Sequence, residues 1–342
     1  MKYGNDHPFR CISNAQRILV TGATGLIGNA LVNKLLQLTS AQIIAVGRSK
    51  TKLARAFPST SSHQNLVLLE HDIAKPLPPG LGHIDILFHG AGTSSGSVVK
   101  TDPMSVINAN VQGTINCLNY LAAQKNDCKA PGLFVPFSSA SVYGVQTDVN
   151  RVVTAFDTTF AEAIHIPHAV YSESKRMSEV IIHAYERQFG IASKIARFSF
   201  VYGPCPFLPT SFLYDFIIKA IHNEALVLHA TSFEARDNIY IADAIDGLLY
   251  MCQYGTEGQA YNISSCGENG NRATIDAISN ELVEIAHRRG RSLVRLVSCP
   301  GITHTPGIML DNAPLKALGW KINTSLKQGL ERTFDEIDKT QP

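Results

Sequence analysis

Short apolar runs alternate with amphipathic segments along the first two hundred residues of the chain. The apolar runs predict strands, and the segments between them, in which apolar residues recur every three or four positions, predict helices. The predicted strands cover residues 17–21, 42–47, 66–70, 84–89, 132–138 and 193–198, and the predicted helices cover about 26–38, 50–57, 103–125 and 169–189. Because such alternation produces a parallel sheet with helices on both faces, the pattern predicts an α/β fold, a doubly wound parallel sheet with its ligand site at the carboxyl ends of the strands.

The pattern changes after residue 198. A loop rich in proline and glycine runs from Tyr202 to Pro209, and shorter, mixed elements follow it. We predict helices at 211–223, 242–254, 272–287 and 325–338, and strands at 226–229, 238–241, 260–263 and 294–298. These elements predict a smaller, mixed α/β lobe in the C-terminal part of the chain.

The turn between the first predicted strand and the first predicted helix is the most informative motif. Its sequence, residues 21–28, is Thr-Gly-Ala-Thr-Gly-Leu-Ile-Gly. Glycines at these spacings let the backbone turn tightly, approach a pyrophosphate and pack helix against strand. The helix N-terminus then offers N–H groups and the positive end of its dipole to the phosphates. The motif predicts a Rossmann-type dinucleotide site formed by Gly22, Thr24, Gly25, Leu26, Ile27 and Gly28.

The motif and the change of pattern together suggest a division of the chain. We predict that residues 16–200 form the dinucleotide-binding domain and that residues 236–263 return to it. The substrate-binding lobe would then consist of residues 201–235 and 264–338.

Composition excludes several classes of protein. The chain has 342 residues, 45% of them hydrophobic and 17% charged, with a net charge of +2 and no basic stripe that would indicate nucleic acid. Its first 16 residues are polar, and no apolar run reaches the length of a membrane span, so we expect neither a secretory signal nor membrane insertion. The seven cysteines are scattered without CxxC spacing. We therefore expect no metal site, no disulfide framework and a reducing cytoplasmic location.

A serine-rich segment and a tyrosine–lysine pair are predicted to reach the same end of the sheet. The segment Ser138–Gly144 follows the predicted strand 132–138, and Tyr171 and Lys175 lie four residues apart on one face of a predicted helix. A lysine ammonium beside a phenol favours the phenolate, so we expect the pKa of Tyr171 to fall below its usual value of about 10. Tyr171 could then exchange a proton with a sugar hydroxyl that Ser139 orients, while a nicotinamide takes or gives the hydride.

Taken alone, either motif has a simpler explanation. A tyrosine–lysine pair is common on solvated helices, and a serine run is usually a loop. Their order downstream of the glycine turn favours catalysis.

Several ordered motifs resemble the extended short-chain dehydrogenase/reductase family, the NAD-dependent epimerases and dehydratases of nucleotide sugars. The resemblance extends from about Arg17 to Thr333. Its pieces are TGATGLIG at 21–28, HGAG at 89–92, NVQGT at 110–114, SSASVYG at 138–144, YSESK at 171–175, Arg197 followed by VYGP at 201–204, RDNIYIAD at 236–243, and LGW at 318–320 followed by Gly329 and Leu330.

The resemblance implies a role for each matching position. Ser139, Tyr171 and Lys175 match the catalytic triad, and Ser141 lies on the substrate side of the same motif. The cofactor positions beyond the glycine turn are Asp72 and Ile73 beside the adenine, Gly90, Ala91 and Asn110 along the ribose and the active-site wall, and Tyr171 and Lys175 themselves. Arg236 matches an arginine that grips the diphosphate of the nucleoside-diphosphate sugar. A structural ion pair of Arg236 with Asp237 or Asp243 is the alternative.

The end of the second predicted strand departs from the family pattern. NAD-preferring members usually carry an acidic residue there, which binds the ribose hydroxyls. Here Gly47 occupies that position and Arg48 follows it. A missing carboxylate and a neighbouring guanidinium favour a 2′-phosphate, which tilts the expectation toward NADP. Stacking of Arg48 on the adenine would leave NAD acceptable, so both cofactors stay open.

The serine motif departs from the pattern in a way that bears on the reaction. The 4,6-dehydratases usually carry Asp-Glu after the catalytic hydroxyl, and the decarboxylase-like relatives keep the Glu. Ala140 and Ser141 stand there, and neither supplies the acid or base. The resemblance therefore points to a nucleoside-diphosphate-sugar 4-epimerase acting through hydride transfer at sugar C4. Phe200 stands where relatives often place an Asn that touches the nucleotide or the sugar.

Other functions stay open at this point. One is an NADPH-dependent 4-keto-sugar reductase, and another is a dehydratase that takes its base from residues 145–169, which include Asp157, Glu162, His165 and His168. A non-catalytic dinucleotide-binding sensor is a further alternative, against which the intact triad argues. The resemblance also implies a homodimer that pairs through helices 103–125 and 169–189.

Overall fold

A parallel sheet with helices on both faces dominates the fold. The computed structural model describes residues 9–58, 63–92, 96–124, 130–144, 151–157, 162–228, 235–292, 295–297 and 307–340. The strands are β1 (Arg17–Thr21), β2 (Gln42–Gly47), β3 (Leu66–Glu70), β4 (Ile86–His89), β5 (Leu133–Ser139), β6 (Val152–Val153), β7 (Lys194–Phe198), β8 (Phe200–Tyr202), β9 (Leu226–Leu228), β10 (Ala235–Tyr240), β11 (Gln259–Ile263), β12 (Arg272–Thr274), β13 (Arg295–Val297) and β14 (Met309–Leu310).

The helices follow the predicted alternation. They are α1 (Arg10–Ser13), α2 (Leu26–Leu38), α3 (Lys50–Ala56), α4 (Gly96–Thr101), α5 (Pro103–Ile107), α6 (Gly113–Ala123), α7 (Ala169–Phe189), α8 (Phe212–Ile221), α9 (Ile241–Tyr254), α10 (Ile275–Arg288), α11 (Ala313–Ala317) and α12 (Leu326–Asp338). A π-helical turn, Asn108–Gln112, joins α5 to α6, so the helix predicted over 103–125 is continuous but changes its hydrogen-bonding pattern in the middle.

The main sheet has the strand order β11-β7-β5-β4-β1-β2-β3, and its neighbouring strands pair in parallel. Successive residues of β1 point to opposite faces, as they must in a strand. Ile18 and Val20 pack into the hydrophobic core that contains residues of α2 and α9, whereas Leu19 packs into the core that contains residues of α6 and α7. This two-sided burial confirms the predicted doubly wound Rossmann-type sheet.

The order in which successive strands are added to the sheet reverses at β1. From β1 the order runs outward to β2 and β3 on one side and to β4 and β5 on the other. In doubly wound sheets the crevice for a ligand opens at the carboxyl ends of the strands beside this switch point. The ends of β1, β4 and β5 are Thr21, His89 and Ser139, which brings the glycine turn and the serine motif to one edge.

Smaller sheets follow the main one. Strands β12, β10 and β8 form a three-stranded sheet, and β13 pairs with β9 and β14 with β6. Strand β11 pairs with β7 at the edge of the main sheet. The mixed C-terminal part is therefore present as predicted, while the proposed domain division stays a prediction.

The sequence pattern missed the shortest elements. These are α1, α4, α11, β6, β8, β12 and β14, none of them longer than six residues. Such pieces contain too few residues to show a period of 2 or 3.6, so their positions depend on tertiary contacts.

Candidate active site

The glycine turn is held by backbone contacts that leave no space for a side chain. Gly22 has a φ of +69°, and a Cβ placed on it would lie 2.5 Å from the carbonyl oxygen of Gly90. A Cβ on Gly28 would lie 2.3 Å from the carbonyl oxygen of Gly22. The amide of Gly25 donates to the same Gly22 oxygen over 3.0 Å, which closes the bend. These contacts explain why the turn requires glycine at positions 22 and 28.

The N-terminus of α2 faces the crevice without a side-chain cap. Gly25 is its N-cap residue, and a glycine has no side chain that could cap the first turn. The amides of the first turn, including those of Leu26 and Ile27, therefore have no partner within the helix. Thr24 lies beside Gly47, where a Cβ would approach its methyl group to 3.4 Å. An uncapped, glycine-lined N-terminus of a long helix fits the pyrophosphate of a dinucleotide.

Two predicted adenine-side residues follow β3. Asp72 is exposed, and its carboxylate accepts a hydrogen bond from the amide of Ala74 over 3.1 Å. Ile73 is buried, and its carbonyl accepts from the Nδ2 of Asn116 over 2.8 Å. Arg48 is exposed just after β2, at the same edge of the sheet. The three predicted residues thus share one rim of the crevice.

The next predicted cofactor residues connect the end of β4 to the π-helical turn. The amide of Ala91 donates to the hydroxyl of Thr21 over 3.1 Å, and a Cβ on Gly90 would lie 2.4 Å from the ring of Phe137. Asn110 is buried within the π-helical turn, and its Nδ2 donates to the hydroxyl of Ser174 over 2.8 Å.

The side-chain oxygen of Asn110 is buried and has no hydrogen-bond partner among the described residues. It lies 2.5 Å from the position that a Cβ on Gly92 would take, and Lys175 Nζ lies 3.7 Å from that same position. A buried acceptor without a partner requires an explanation, and a π turn often marks a functional site. A hydroxyl or amide of a bound dinucleotide would satisfy this oxygen, so these residues fit such a cofactor.

The three predicted catalytic residues meet at the end of β5. Ser139 is the last residue of the strand, and its hydroxyl lies near enough to the Tyr171 phenol to lower the pKa of that phenol. The Nζ of Lys175 donates to the carbonyl of Phe137 over 2.8 Å and lies 6.0 Å from the centre of the Tyr171 ring. The four-residue spacing on α7 therefore brings both side chains to the serine, as the sequence predicted.

The expected lowering of the Tyr171 pKa is wrong. Burial raises the pKa of the phenol, and the hydrogen bond with Ser139 offsets only part of that effect. Burial also lowers the pKa of Lys175 to about 8, although the carboxylate of Glu179 raises it. Desolvation disfavours the charged form of both groups, so it outweighs their proximity.

A neutral histidine completes the polar floor of the site. Burial, followed by the charge of Lys175, lowers the pKa of His89 to about 3. Its Nδ1 lies 2.8 Å from the hydroxyl of Thr21, and its ring stacks on Phe134 with the centroids 6.0 Å apart. His89 is therefore uncharged at neutral pH and does not repel the ammonium group of Lys175.

The predicted substrate residues occupy two places. The amide of Ser141 donates to the Ser139 hydroxyl over 3.1 Å, within the short 3₁₀ turn Ala140–Tyr143. The guanidinium of Arg236 lies 5.6 Å from the ring centre of Phe200 and 5.1 Å from that of Phe212. Ser141 thus adjoins the triad, and Arg236 belongs to β10 of the smaller sheet.

The two acids proposed as alternative partners of Arg236 accept hydrogen bonds from other groups. Asp237 accepts from the amides of Ser265 and Cys266 over 3.1 and 3.2 Å. Asp243 accepts from the amides of Asn323 and Thr324 over 3.1 and 2.9 Å. Both carboxylates therefore have structural roles in joining segments of the C-terminal part.

The segment between the serine motif and Tyr171 is described only in part, since residues 145–150 and 158–161 lie outside the described residues. The carboxylate of Glu162 accepts from His168 Nδ1 over 2.9 Å and from the Ser172 hydroxyl over 3.1 Å. The rings of His168 and Tyr171 are 6.1 Å apart. Asp157 pairs with Arg151 at 2.8 Å, and His165 is exposed. Among these candidates, Glu162 and His168 lie next to the triad.

Sequence analysis missed Glu179, a buried carboxylate one helical turn beyond Lys175. It accepts hydrogen bonds from Ser138 and from Arg197 on neighbouring strands. Its four-residue spacing from Lys175 was a usable signal, because both side chains must then lie on one face of α7.

Comparisons with known proteins agree with this geometry. The sequence profile described as the NAD dependent epimerase/dehydratase family matches residues 18–264. UDP-glucuronic acid decarboxylase 5 of Arabidopsis thaliana is 27% identical over 94% of this chain and 88% of its own length. dTDP-glucose 4,6-dehydratase 1 of Escherichia coli K12 is 27% identical over 93% of this chain and 92% of its own.

A solved structure shares the fold. It is UDP-glucuronic acid 4-epimerase from Bacillus cereus in complex with UDP-glucuronic acid and NAD, with a TM-score of 0.78, 24% identity, and coverage of 95% of this chain and 100% of the other. The chain therefore belongs to the NAD-dependent epimerase/dehydratase family. It is an enzyme of that family, which confirms the resemblance that the sequence motifs suggested.

The described residues contain neither a cluster of metal-ligating side chains nor a helix that could span a membrane. Within the part of the chain that the structure describes, no group of three or more His, Cys, Asp or Glu side chains lies close enough together to bind a metal ion. None of the helices among these residues combines the length and apolar character that crossing a bilayer requires.

Proposed function

We propose that the protein is a nucleoside-diphosphate-sugar 4-epimerase. The single observation that carries the proposal is the meeting of Ser139, Tyr171 and Lys175 at the end of β5, beside two positions, Ala140 and Ser141, that supply no carboxyl group. A 4-epimerase needs only such a triad and a nicotinamide, whereas dehydration or decarboxylation at this position usually relies on an additional acid or base.

The roles of the residues follow from their contacts. A bound nicotinamide supplies the acceptor and donor of hydride. Tyr171 takes the proton of the C4 hydroxyl and later returns it, while Ser139 holds the same oxygen by a hydrogen bond. Because burial raises the pKa of Tyr171, its ionisation requires support from the Ser139 hydroxyl and the Lys175 ammonium. Arg236 binds the diphosphate of the substrate, for which its planar guanidinium is suited.

The test is to assay the purified protein with UDP-, dTDP-, GDP- and CDP-sugars and to follow the anomeric signals by NMR. We expect conversion to the C4 epimer without net consumption of cofactor. Tyr171→Phe should reduce the rate by about 10²–10⁴-fold while leaving the fold intact by circular dichroism. Unchanged turnover in that folded variant, or release of carbon dioxide as the main reaction, would contradict the proposal.

The preference between NAD and NADP is a separate proposal. The chain belongs to an NAD-dependent family, and exposed Arg48 after Gly47 adds affinity for a 2′-phosphate. We expect NADP to bind at least as tightly as NAD and Arg48→Ala to weaken only NADP. Titration calorimetry with both dinucleotides measures this directly. A strong dependence on exchangeable NADPH would favour a 4-keto-sugar reductase.

A dehydratase is the second candidate, and one observation favours it. Glu162 and His168 form a hydrogen-bonded pair, with 2.9 Å between Oε1 and Nδ1, and the pair lies beside Tyr171. Such a pair could replace the carboxyl groups that are missing after Ser139. In a dehydratase, His168→Gln would abolish formation of a 6-deoxy-4-keto sugar, detected as a new methyl signal by NMR. The 4-epimerase proposal expects no such product from the unmodified protein.

We also propose a homodimer. Met104 on α5 and Met177 and Val180 on α7 are apolar side chains exposed by 59%, 50% and 58%. A second copy of the chain packed on these helices would cover them. By contrast, Leu118 and Leu121 of α6 are fully buried against the sheet. Light scattering should give twice the mass of one chain, and Val180→Glu should reduce it.

A further inference from the structure

A buried carboxylate links the catalytic helix to the strand that carries the serine. Glu179 is 8% exposed and lies on α7, one turn beyond Lys175. Its Oε1 accepts from the Ser138 hydroxyl over 2.5 Å and from Arg197 Nε over 3.0 Å, and its Oε2 accepts from Arg197 Nη2 over 2.6 Å. Because Ser138 immediately precedes Ser139, this carboxylate connects the strand end to the helix of Tyr171 and Lys175.

Arg197 extends the connection to the turn after Ser139. Its Nη1 donates to the hydroxyl of Tyr143 over 2.8 Å and to the carbonyl of Ala155 over 2.9 Å, and its guanidinium lies 4.9 Å from the Tyr143 ring centre. The Tyr143 hydroxyl donates in turn to Asn262 Oδ1 over 2.7 Å. Four elements, α7, β5, β7 and the Ala140–Tyr143 turn, are therefore joined through one ion pair. Such a network fixes geometry only while all its members are satisfied.

The same carboxylate is the negative charge that faces Lys175. Among the residues that the structure describes, the other titratable or charged groups near the Lys175 side chain are His89 from β4, Tyr171 from α7 and, behind Glu179, Arg197 from β7. His89 is neutral because burial and Lys175 lower its pKa to about 3. A small cavity of about 10 Å³ is lined by Lys175 and Glu179 together with His89, Ser138 and Ser178, so the two charged side chains border the same space.

We propose that Glu179 is a positioning residue for the epimerase reaction, which keeps Lys175 as an ammonium and fixes the Ser139 turn against Tyr171. The catalytic role of Glu179 rests on the proposed function. Its effect on the charge of Lys175 does not depend on which reaction the protein catalyses. Removing the charge of Glu179 takes away the attraction for Lys175 and leaves the Arg197 guanidinium unneutralised nearby. Both changes disfavour the charged lysine in a buried site.

The decisive variant is Glu179→Gln, which keeps the size of the side chain and part of its hydrogen bonding. The protonation of Lys175 is followed by NMR of ¹³C-labelled lysine in the cofactor-free protein, with the Lys175 signal assigned from Lys175→Met. In the unmodified protein, we expect a midpoint near the pKa of about 8. In Glu179→Gln the midpoint should fall by about one unit or more, because the negative charge beside Lys175 is lost. One unit corresponds to roughly 1.4 kcal/mol of lost charge stabilisation.

Kinetics provide a second measurement. The Glu179→Gln variant should lose about threefold in kcat near pH 7.5, because a midpoint lowered from about 8 to about 7 leaves roughly a quarter of Lys175 charged instead of three-quarters, and it should recover most of this loss near pH 6.5. Ser138→Ala breaks the link to β5 without changing charge, so it should lower kcat by a similar factor at all pH values. Glu186→Gln, which removes a more exposed carboxylate hydrogen-bonded to His183 on the same helix, is the matched control and should change neither result.

The outcomes separate the two proposals. A Glu179→Gln variant that is folded by circular dichroism but titrates Lys175 within about 0.3 unit of the unmodified protein, and shares its pH profile, overturns the inference. Should Glu179→Gln fail to fold, the double variant Glu179→Gln with Arg197→Gln removes the unpaired charge and is titrated in its place. Absence of epimerisation in the unmodified protein refutes the proposed function alone, because the NMR titration requires no turnover.

Discussion

The half of the molecule that contains the glycine turn and the C-terminal part differ in the contacts between their segments. Around β1 the backbone segments approach so closely that Gly22 and Gly28 leave no space for a Cβ, and the strand is buried on both faces. In the C-terminal part, α10 and α12 share buried apolar side chains and are also joined by partly exposed ion pairs, such as the bidentate pair of Arg289 with Asp335 at 2.8 and 2.9 Å.

The difference indicates which half can change in evolution. Backbone contacts tolerate almost no substitution, whereas exposed ion pairs contribute little each and can be replaced one at a time. Arg236, which we propose binds the substrate diphosphate and which packs on Phe200 and Phe212, belongs to the more tolerant part. A closely packed glycine turn beside a more tolerant C-terminal part would let one fold host several reactions. Four predictions test this comparison, beginning with the largest effect.

Gly28→Ala should have the largest effect, because its Cβ would lie 2.3 Å from a backbone oxygen that cannot move aside. We expect a loss of about 3 kcal/mol in the free energy of unfolding, together with loss of dinucleotide binding. Gly25→Ala is the matched variant, since its Cβ would lie 3.3 Å from the same Gly22 oxygen. Urea unfolding of both measures the effect, and equal losses would mean that the close approach is not the cause.

Acid should destabilise the cofactor half through His89. Its pKa falls from 6.5 to about 3 in the folded protein, so the unfolded chain binds the proton first as the pH drops. The associated stability is complete above about pH 6.5 and is lost progressively toward pH 3, at up to roughly 1.4 kcal/mol per pH unit.

The measurement is urea unfolding of His89→Gln between pH 7 and pH 4, compared with the unmodified protein. The difference in stability between the two should shrink as the pH falls. The control is a second histidine substitution, His287→Gln, at an exposed position on α10. A constant difference for His89→Gln would show that His89 is not the group responsible.

Phe200→Leu should have a moderate effect that is confined to the substrate. The change removes one of the two rings that pack against the Arg236 guanidinium, a contact of about 0.5–2 kcal/mol. We expect nucleotide-sugar binding by calorimetry to weaken by about three- to thirtyfold, with dinucleotide binding unchanged. Weakened binding of both ligands would instead indicate a general loss of structure.

Ser325→Ala should have the smallest effect. Ser325 caps α12 in a capping box with Gln328, and loss of such a cap costs about 1 kcal/mol. Thermal unfolding should show this decrease, while cofactor affinity and turnover stay unchanged. A change in cofactor affinity would show that the two parts are more strongly coupled than their contacts suggest.

The sequence predicted the parts of the fold that depend on long, regular patterns. The bounds of β1, β2, β3, α2 and α7 match the predicted ranges, because each has either a continuous apolar run or a clear helical period. The site residues Tyr171 and Lys175 meet Ser139 for the same reason, since their spacing on α7 determines which face they share.

Other features depend on contacts that local patterns do not encode. The raised pKa of Tyr171 reflects burial, which is a property of the folded surroundings, and the motif itself suggested the opposite direction. The packing of Arg236 on Phe200 and Phe212 joins β10, β8 and α8, which lie far apart in sequence. The sequence motif alone suggested an ion pair as the alternative.

The π-helical turn at Asn108–Gln112 has a consequence for insertions and deletions. Such a turn holds one residue more than an α-helical turn, so deleting a single residue there would restore ordinary helical hydrogen bonds. The same deletion would rotate α5 by about 100° relative to α6 and would move the amide of Asn110 away from Ser174. The deletion would therefore disrupt the polar wall of the crevice, although the helix itself would tolerate it. The number of residues in this segment is thus more strictly constrained than their type.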